Sequence, residues 1–178
     1  EDGDGISMSY QWLVNGSPAD TSPTLGGDLF SRGDSIQCSI TPSDGFEEGS
    51  TQTSSAVIVA NSAPELSSVT LSPTTAIESS TLTCEAGAAT DSDGDSISFS
   101  YDWSVNAVTL SLSLETLDGA YFDKGDTIHC YVTPTDGVDS GATVTSNGVV
   151  IQNSPPLIDS VSLSPALAYE ADTLSCTE

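Results

Sequence analysis

Gly125-Asp126-Thr127-Ile128-His129-Cys130 restates, 92 positions later, Gly33-Asp34-Ser35-Ile36-Gln37-Cys38. Outward from that pair, the same offset relates Thr41-Pro42-Ser43-Asp44-Gly45 to Thr133-Pro134-Thr135-Asp136-Gly137, and Asn61-Ser62-Ala63-Pro64 to Asn153-Ser154-Pro155-Pro156. Ser68-Val69-Thr70-Leu71-Ser72-Pro73 likewise returns as Ser160-Val161-Ser162-Leu163-Ser164-Pro165, and Cys84 as Cys176. Tyr10-Gln11-Trp12-Leu13-Val14-Asn15 matches Tyr101-Asp102-Trp103-Ser104-Val105-Asn106 at an offset of 91. Self-similarity at a fixed period marks a chain built of serial structural units. With a unit of about 92 residues, 62–153 is expected to be complete, 1–61 to lack its first strands, and 154–178 to be the first strands of a following unit.

Within 62–153 the segments 67–71, 79–85, 96–105, 127–133 and 143–152 are rich in β-branched and aromatic residues, several in strict alternation, with Gly, Pro, Asn and Asp between them. Alternation of this kind predicts half-buried strands. Some seven short strands in a unit of this size predict an all-β fold of sandwich type. The composition agrees: 31 serines, 20 threonines, 15 glycines and 9 prolines in 178 residues favour strands and turns over helices. With 37% apolar residues and 2 Trp, 5 Tyr and 4 Phe, the chain is too apolar for an acidic disordered tail and is expected to fold.

Charge narrows the partners. Against 26 acidic residues stand Arg32 and Lys124, for a net charge of −24. Such a field repels phosphate backbones and anionic headgroups, which argues against nucleic acid and acidic membranes. The longest apolar run, 56–60, is strand-sized and far short of a membrane span. The sequence opens at Glu1 without a charged-then-apolar leader, so a secretion signal is expected to have been removed or to lie upstream. Catalysis is not expected: there is one histidine, His129, and no nucleophile elbow or phosphate loop. His129 alternates with Ile128 and Cys130, so it reads as an outward strand residue. No two cysteines lie close enough in sequence for a zinc knuckle.

The Tyr-x-Trp-x-Val-Asn segments at Tyr10 and Tyr101, with the order Cys84, Trp103, Cys130, resemble strand C and the core of immunoglobulin-like modules. The whole pattern resembles the tandem bacterial immunoglobulin-like repeats, of polycystic-kidney-disease and cadherin-like type, found in large secreted surface or filament-forming proteins. Ile128 departs from antibody domains, which place a tyrosine two residues before the second cysteine. The resemblance implies tandem sandwiches with a Cys84–Cys130 bridge between sheets. Such a loop would contribute about 4 kcal/mol in the chain-entropy model and would require an oxidising compartment. By the same logic Cys38 and Cys176 each need a partner from a neighbouring subunit or repeat. Two accounts stand open: the chain is a window on a longer tandem protein, or 154–178 of one subunit completes 1–61 of the next by strand donation.

Asp91-Ser92-Asp93-Gly94-Asp95 sets three carboxylates at alternate positions around a glycine, the way oxygen ligands gather on a hard cation. Calcium is the natural ion, although Asp102 stands where an EF-hand would have Glu. Asn61-Ser62-Ala63-Pro64 is similar to cadherin-type Asn-x-x-Pro linkers, and the resemblance adds Asp136 and Asn61 as ligands. In the first unit the equivalents are Asp2, Asp4 and Asp44. The alternative is a solvated Asp-Gly turn without an ion.

Together these readings predict an extracellular or cell-surface structural protein, a rod, stalk or filament whose partners are copies of itself or flanking repeats. O-linked glycans on the abundant hydroxyls and an N-linked one at Asn15-Gly16-Ser17 are compatible with that setting. A different class is an adhesin that recognises a glycan or a protein, with its face in 107–119, which diverges from 16–27. Arg32-Gly33-Asp34 spells an integrin tripeptide, but its counterpart Lys124-Gly125-Asp126 points to turn geometry instead.

Overall fold

A computed structural model describes residues 5–178; among these the fold is all-β, with strands paired antiparallel apart from one parallel pair, and a single turn of 3-10 helix at Gly27–Leu29. Asp2 and Asp4 lie outside the described residues. No helix among the described residues is long and apolar enough to cross a membrane. The chain forms two compact units. One comprises the residues up to Val69 with Ala86–Tyr101 and Tyr131–Thr145, and the other Thr70–Glu85, Asp102–Cys130 and Ser146–Glu178.

In chain order the strands are β1 (Ser7–Val14), β2 (Ser17–Asp20), β3 (Ser35–Ser43), β4 (Gln52–Thr53), β5 (Val57–Ile58), β6 (Glu65–Leu66), β7 (Val69–Ser72), β8 (Ala76–Ile77) and β9 (Leu82–Ala86). There follow β10 (Ala89–Thr90), β11 (Ser98–Val105), β12 (Val108–Leu110), β13 (Thr116–Leu117), β14 (Thr127–Thr135), β15 (Val144–Thr145), β16 (Val149–Gln152), β17 (Ser162–Ser164) and β18 (Ser175–Thr177).

The first unit is built on β1 and β3, antiparallel from Ser7↔Ser43 to Val14↔Ile36, with β2 on the far side of β1 and with β4 and β5 on β3. Asn15 and Gly16 make the β1–β2 turn with φ of 51° and 78°, the left-handed pair that a two-residue hairpin requires. Asn15 is held there by its own side chain, which accepts from Ser35 N–H at 2.9 Å and donates to Asp34 at 2.6 Å. The sequon's amide nitrogen is therefore already engaged.

The second unit holds most of the buried core. Leu71, Leu82, Cys84, Trp103, Leu117, Ile128, Cys130, Val149 and Ile151 are each at most 1% exposed. Burial of one such aliphatic side chain contributes about 1.5–3 kcal/mol. Cys84 on β9 and Cys130 on β14 form a disulfide, joining the sheet ordered β13-β9-β7 to the sheet that contains β14. Along β14 the residues alternate half-buried and buried; His129 falls on the face opposite Ile128 and Cys130. The apolar segment 143–152 is two strands and not one. Asn147 breaks it, accepting from Leu71 N–H at 2.9 Å and donating to Leu71 O, and a Cβ on Gly148 would come within 2.8 Å of the His129 ring.

The local bonds around β1 and β3 return around β11 and β14. Asn106 accepts from Thr127 N–H and donates to Asp126 at 3.0 and 2.7 Å, as Asn15 does with Ser35 and Asp34. Asp126 accepts from Asp123 N–H at 2.8 Å, and Asp34 from Ser31 N–H at 2.7 Å. Thr133 meets Thr143 through their hydroxyls at 2.6 Å, and Thr41 meets Thr51 at 2.7 Å.

Candidate functional site

The carboxylates of Asp91, Asp93 and Asp95 each bring an oxygen within 4.8 Å of the others. Gly94, at φ 78°, lets the chain turn back on itself. Asp91 Oδ1 fixes the turn, accepting from Asp93 N–H at 2.8 Å and Asp95 N–H at 3.2 Å. Its second oxygen, Oδ2, is buried without a hydrogen-bond partner. Asp93 Oδ2 accepts from Ser62 N–H at 2.6 Å, which ties the loop to the segment carrying Asn61.

Asp136 and Asn61 approach this trio through other groups and do not join it. Asn61 donates its amide to Asp136 Oδ2 and to Asp139 Oδ2, each at 2.8 Å, and accepts from Arg32 at 2.5 Å. Arg32 Nη1 in turn lies 2.6 Å from Asp95 Oδ2 as an ion pair, and Arg32 Nη2 donates to Asp95 Oδ1 at 3.4 Å. A partly exposed pair of this kind contributes about 0–1 kcal/mol. The Asn61 amide, the backbone N–H groups of Asp139 and Val138, and the positive field of Arg32 together hold the Asp136 carboxyl below its ordinary range.

Two members of this network, Arg32 and Asp139, are absent from the ligand set read from the sequence. Arg32 had a signal of its own: one of two cations among 26 acids will find a carboxylate. Asp139 had none, because Glu47 stands at the corresponding place. Asp44 keeps the Asp136 loop geometry, accepting from Phe46 and Glu47 N–H at 2.9 and 2.8 Å, and is held below its ordinary range by those two bonds.

Chemically, three oxygens converging on one point with an orphaned buried carboxylate oxygen can hold a metal ion. Arg32 now supplies positive charge to the same carboxylates, so an ion at the trio would compete with it for Asp95.

A second feature lies in the first unit. An open groove of about 830 Å³ is lined by Trp12, Leu25, Phe30, Ile36, Cys38 and Val59 among others. Cys38 is half-buried and unbridged, and Cys176 is exposed and unbridged. A scan of the chain against models of known protein families matches none of them, and a search of curated proteins gives no significant match.

Proposed function

We propose that this chain belongs to an extracellular structural protein, made of immunoglobulin-like sandwich modules of about 92 residues in series and forming a rod, stalk or filament. The observation that carries the reading is the duplicated set of side-chain bonds. Asn15, Asp34 and Thr41 make the same contacts as Asn106, Asp126 and Thr133 in segments that match in sequence. Two copies of one building plan serve extension better than they serve a single reaction centre. The Cys84–Cys130 disulfide between sheets, with Trp103 fully buried beside no solvent, supports the immunoglobulin-like assignment and an oxidising compartment.

In this reading Asp91, Asp93 and Asp95 bind calcium, and Asn61 and Asp136 hold the adjoining segment in place around it. The acidic surface keeps neighbouring fibres apart. Immunogold electron microscopy on the producing cells, with antibody to this chain, tests the proposal: label is expected along extended surface fibres. Label confined to the cell interior would refute it.

A further inference from the structure

The sequence holds two cations, Arg32 and Lys124, and they stand 92 positions apart, at the same place in the repeat. Each donates to the carboxamide oxygen of an asparagine 29 residues on: Arg32 Nη1 to Asn61 at 2.5 Å and Lys124 Nζ to Asn153 at 3.1 Å. The two asparagines also correspond in the repeat, and each turns its amide to the carbonyl of the following serine, Ser62 or Ser154. In a chain with 26 acids, a cation that returns to the same neutral side chain belongs to the building plan and not to chance charge pairing.

At Arg32 the contact reaches further. Arg32 and Asn61 lie in the repeat 1–61, while Asp93, Asp95, Asp136 and Asp139 lie in 62–153, and all of them belong to one compact unit. The guanidinium pairs with Asp95 at 2.6 Å through Nη1 and donates to its other oxygen from Nη2 at 3.4 Å. Asn61 takes the cation on its oxygen and donates its amide to Asp136 and Asp139, each at 2.8 Å. Positive charge on the carboxamide oxygen polarises the amide and strengthens its N–H donors. The next backbone group, Ser62 N–H, donates to Asp93 at 2.6 Å.

Two aspartates from each of two loops are thus gathered around residues 61 and 62, with the Arg32 charge among them. Like charges at this range repel, and the guanidinium offsets that repulsion. Its planar fork reaches Asn61 and Asp95 at once. Position 61 needs an amide: an aspartate there would lose the donors and add a further negative charge.

We propose that Arg32 is a tethered-cation latch, which fastens the Asn61-Ser62 linker to the loops at 91–95 and 136–139 and so holds the joint between successive repeats in one geometry. The proposal deepens the serial-module reading and rests on it. Because the cation is part of the chain, the latch acts independently of any metal at the acidic trio.

Amide hydrogen exchange on the full nitrogen-15-labelled chain, in chelator, followed residue by residue by nuclear magnetic resonance, tests this. The reporters are Ser62, Val138 and Asp139, whose N–H groups donate to Asp93 and Asp136; the control is Cys130, whose N–H donates to Ser146 in the core. Arg32→Ala is expected to lower protection at the reporters about fivefold and to leave Cys130 unchanged. Arg32→Lys, which keeps the charge as Lys124 does, should stay within about twofold of the parent. Asn61→Asp should lose at least as much protection as Arg32→Ala. Three results overturn the latch: parental protection in Arg32→Ala, equal losses in Arg32→Ala and Arg32→Lys, or parental protection in Asn61→Asp. With Cys130 still protected apart from the reporters, the module reading survives that failure. If Ser62 and Cys130 of the parent open together at one rate, linker and core are a single cooperative unit, and the latch and the module reading both fall.

Discussion

Cys38 and Cys130 sit in the same frame: each donates its backbone N–H to a serine hydroxyl 16 residues on, Ser54 and Ser146, at 3.0 Å in both cases. What differs is the cover. Cys130 is fully buried and bridged to Cys84, whereas Cys38 is half-buried with a free thiol. The local sequence sets the frame, and the presence of a third strand group decides whether it becomes a core.

Trp103 and Trp12 separate frame from cover energetically. Both donate the indole N–H to a carbonyl, Leu114 O at 2.7 Å and Ser22 O at 3.0 Å, but Trp103 is fully buried and Trp12 is not. Trp103→Ala is expected to lower stability by about 3–5 kcal/mol, and Trp12→Ala by clearly less. Denaturant titration of both variants, followed by far-ultraviolet circular dichroism, checks the order.

The turn after β11 carries an avoidable strain. Asn106 and Ala107 have φ of 50° and 65°, and Ala107 stands where the first hairpin has Gly16. A left-handed alanine costs about 1–2 kcal/mol. Ala107→Gly should raise the thermal midpoint, with a gain of about 1 kcal/mol once the greater freedom of the unfolded glycine is counted. A fall in the midpoint would contradict the assigned turn.

Acid should act through the hairpin aspartates. Backbone N–H of Asp123 first, then the Asn106 amide, holds the Asp126 carboxyl below its ordinary range, and Ser31 and Asn15 do the same for Asp34. A carboxyl lowered on folding binds fewer protons folded than unfolded, so its stabilisation is complete above about pH 4 and is lost as pH falls through the folded value. Asp126→Asn is expected to flatten the stability-against-pH curve below pH 4 relative to the parent. An unchanged slope would sink the assignment.

At the acidic trio, an added calcium ion would have to compete with Arg32 for Asp95. Calorimetric titration with calcium should show binding that Asp93→Asn weakens at least tenfold, because it removes one converging charge. Arg32→Gln should tighten binding several-fold by freeing Asp95. The absence of binding heat in the parent and in Arg32→Gln alike would remove the metal from the account.

Much of this was readable from period and alternation. The β14 pattern of Ile128, Cys130 and Val132 inward is visible in the sequence because every second residue is apolar, and the order Cys84, Trp103, Cys130 carried the disulfide through its resemblance to a known core. The Asp91–Asp95 loop was readable because its carboxylates are sequence neighbours around a glycine. The break at Asn147 was not, since it depends on a bond to Leu71, 76 residues away. The linkage of Asn61 to Asp136, Asp139 and Arg32 is of the same long-range kind. A local pattern gives the face a residue occupies; it does not give the partner that a polar side chain will choose across the fold.

Pulling a single chain from its two ends tests the central claim, that this is a force-resisting module closed by its disulfide. With Cys84 and Cys130 bridged, the segment spanning their separation of 46 residues stays locked; reduction should add about 160 Å to the extended length and lower the rupture force. Equal lengths with and without reductant, or extension without any rupture peak, would contradict the account.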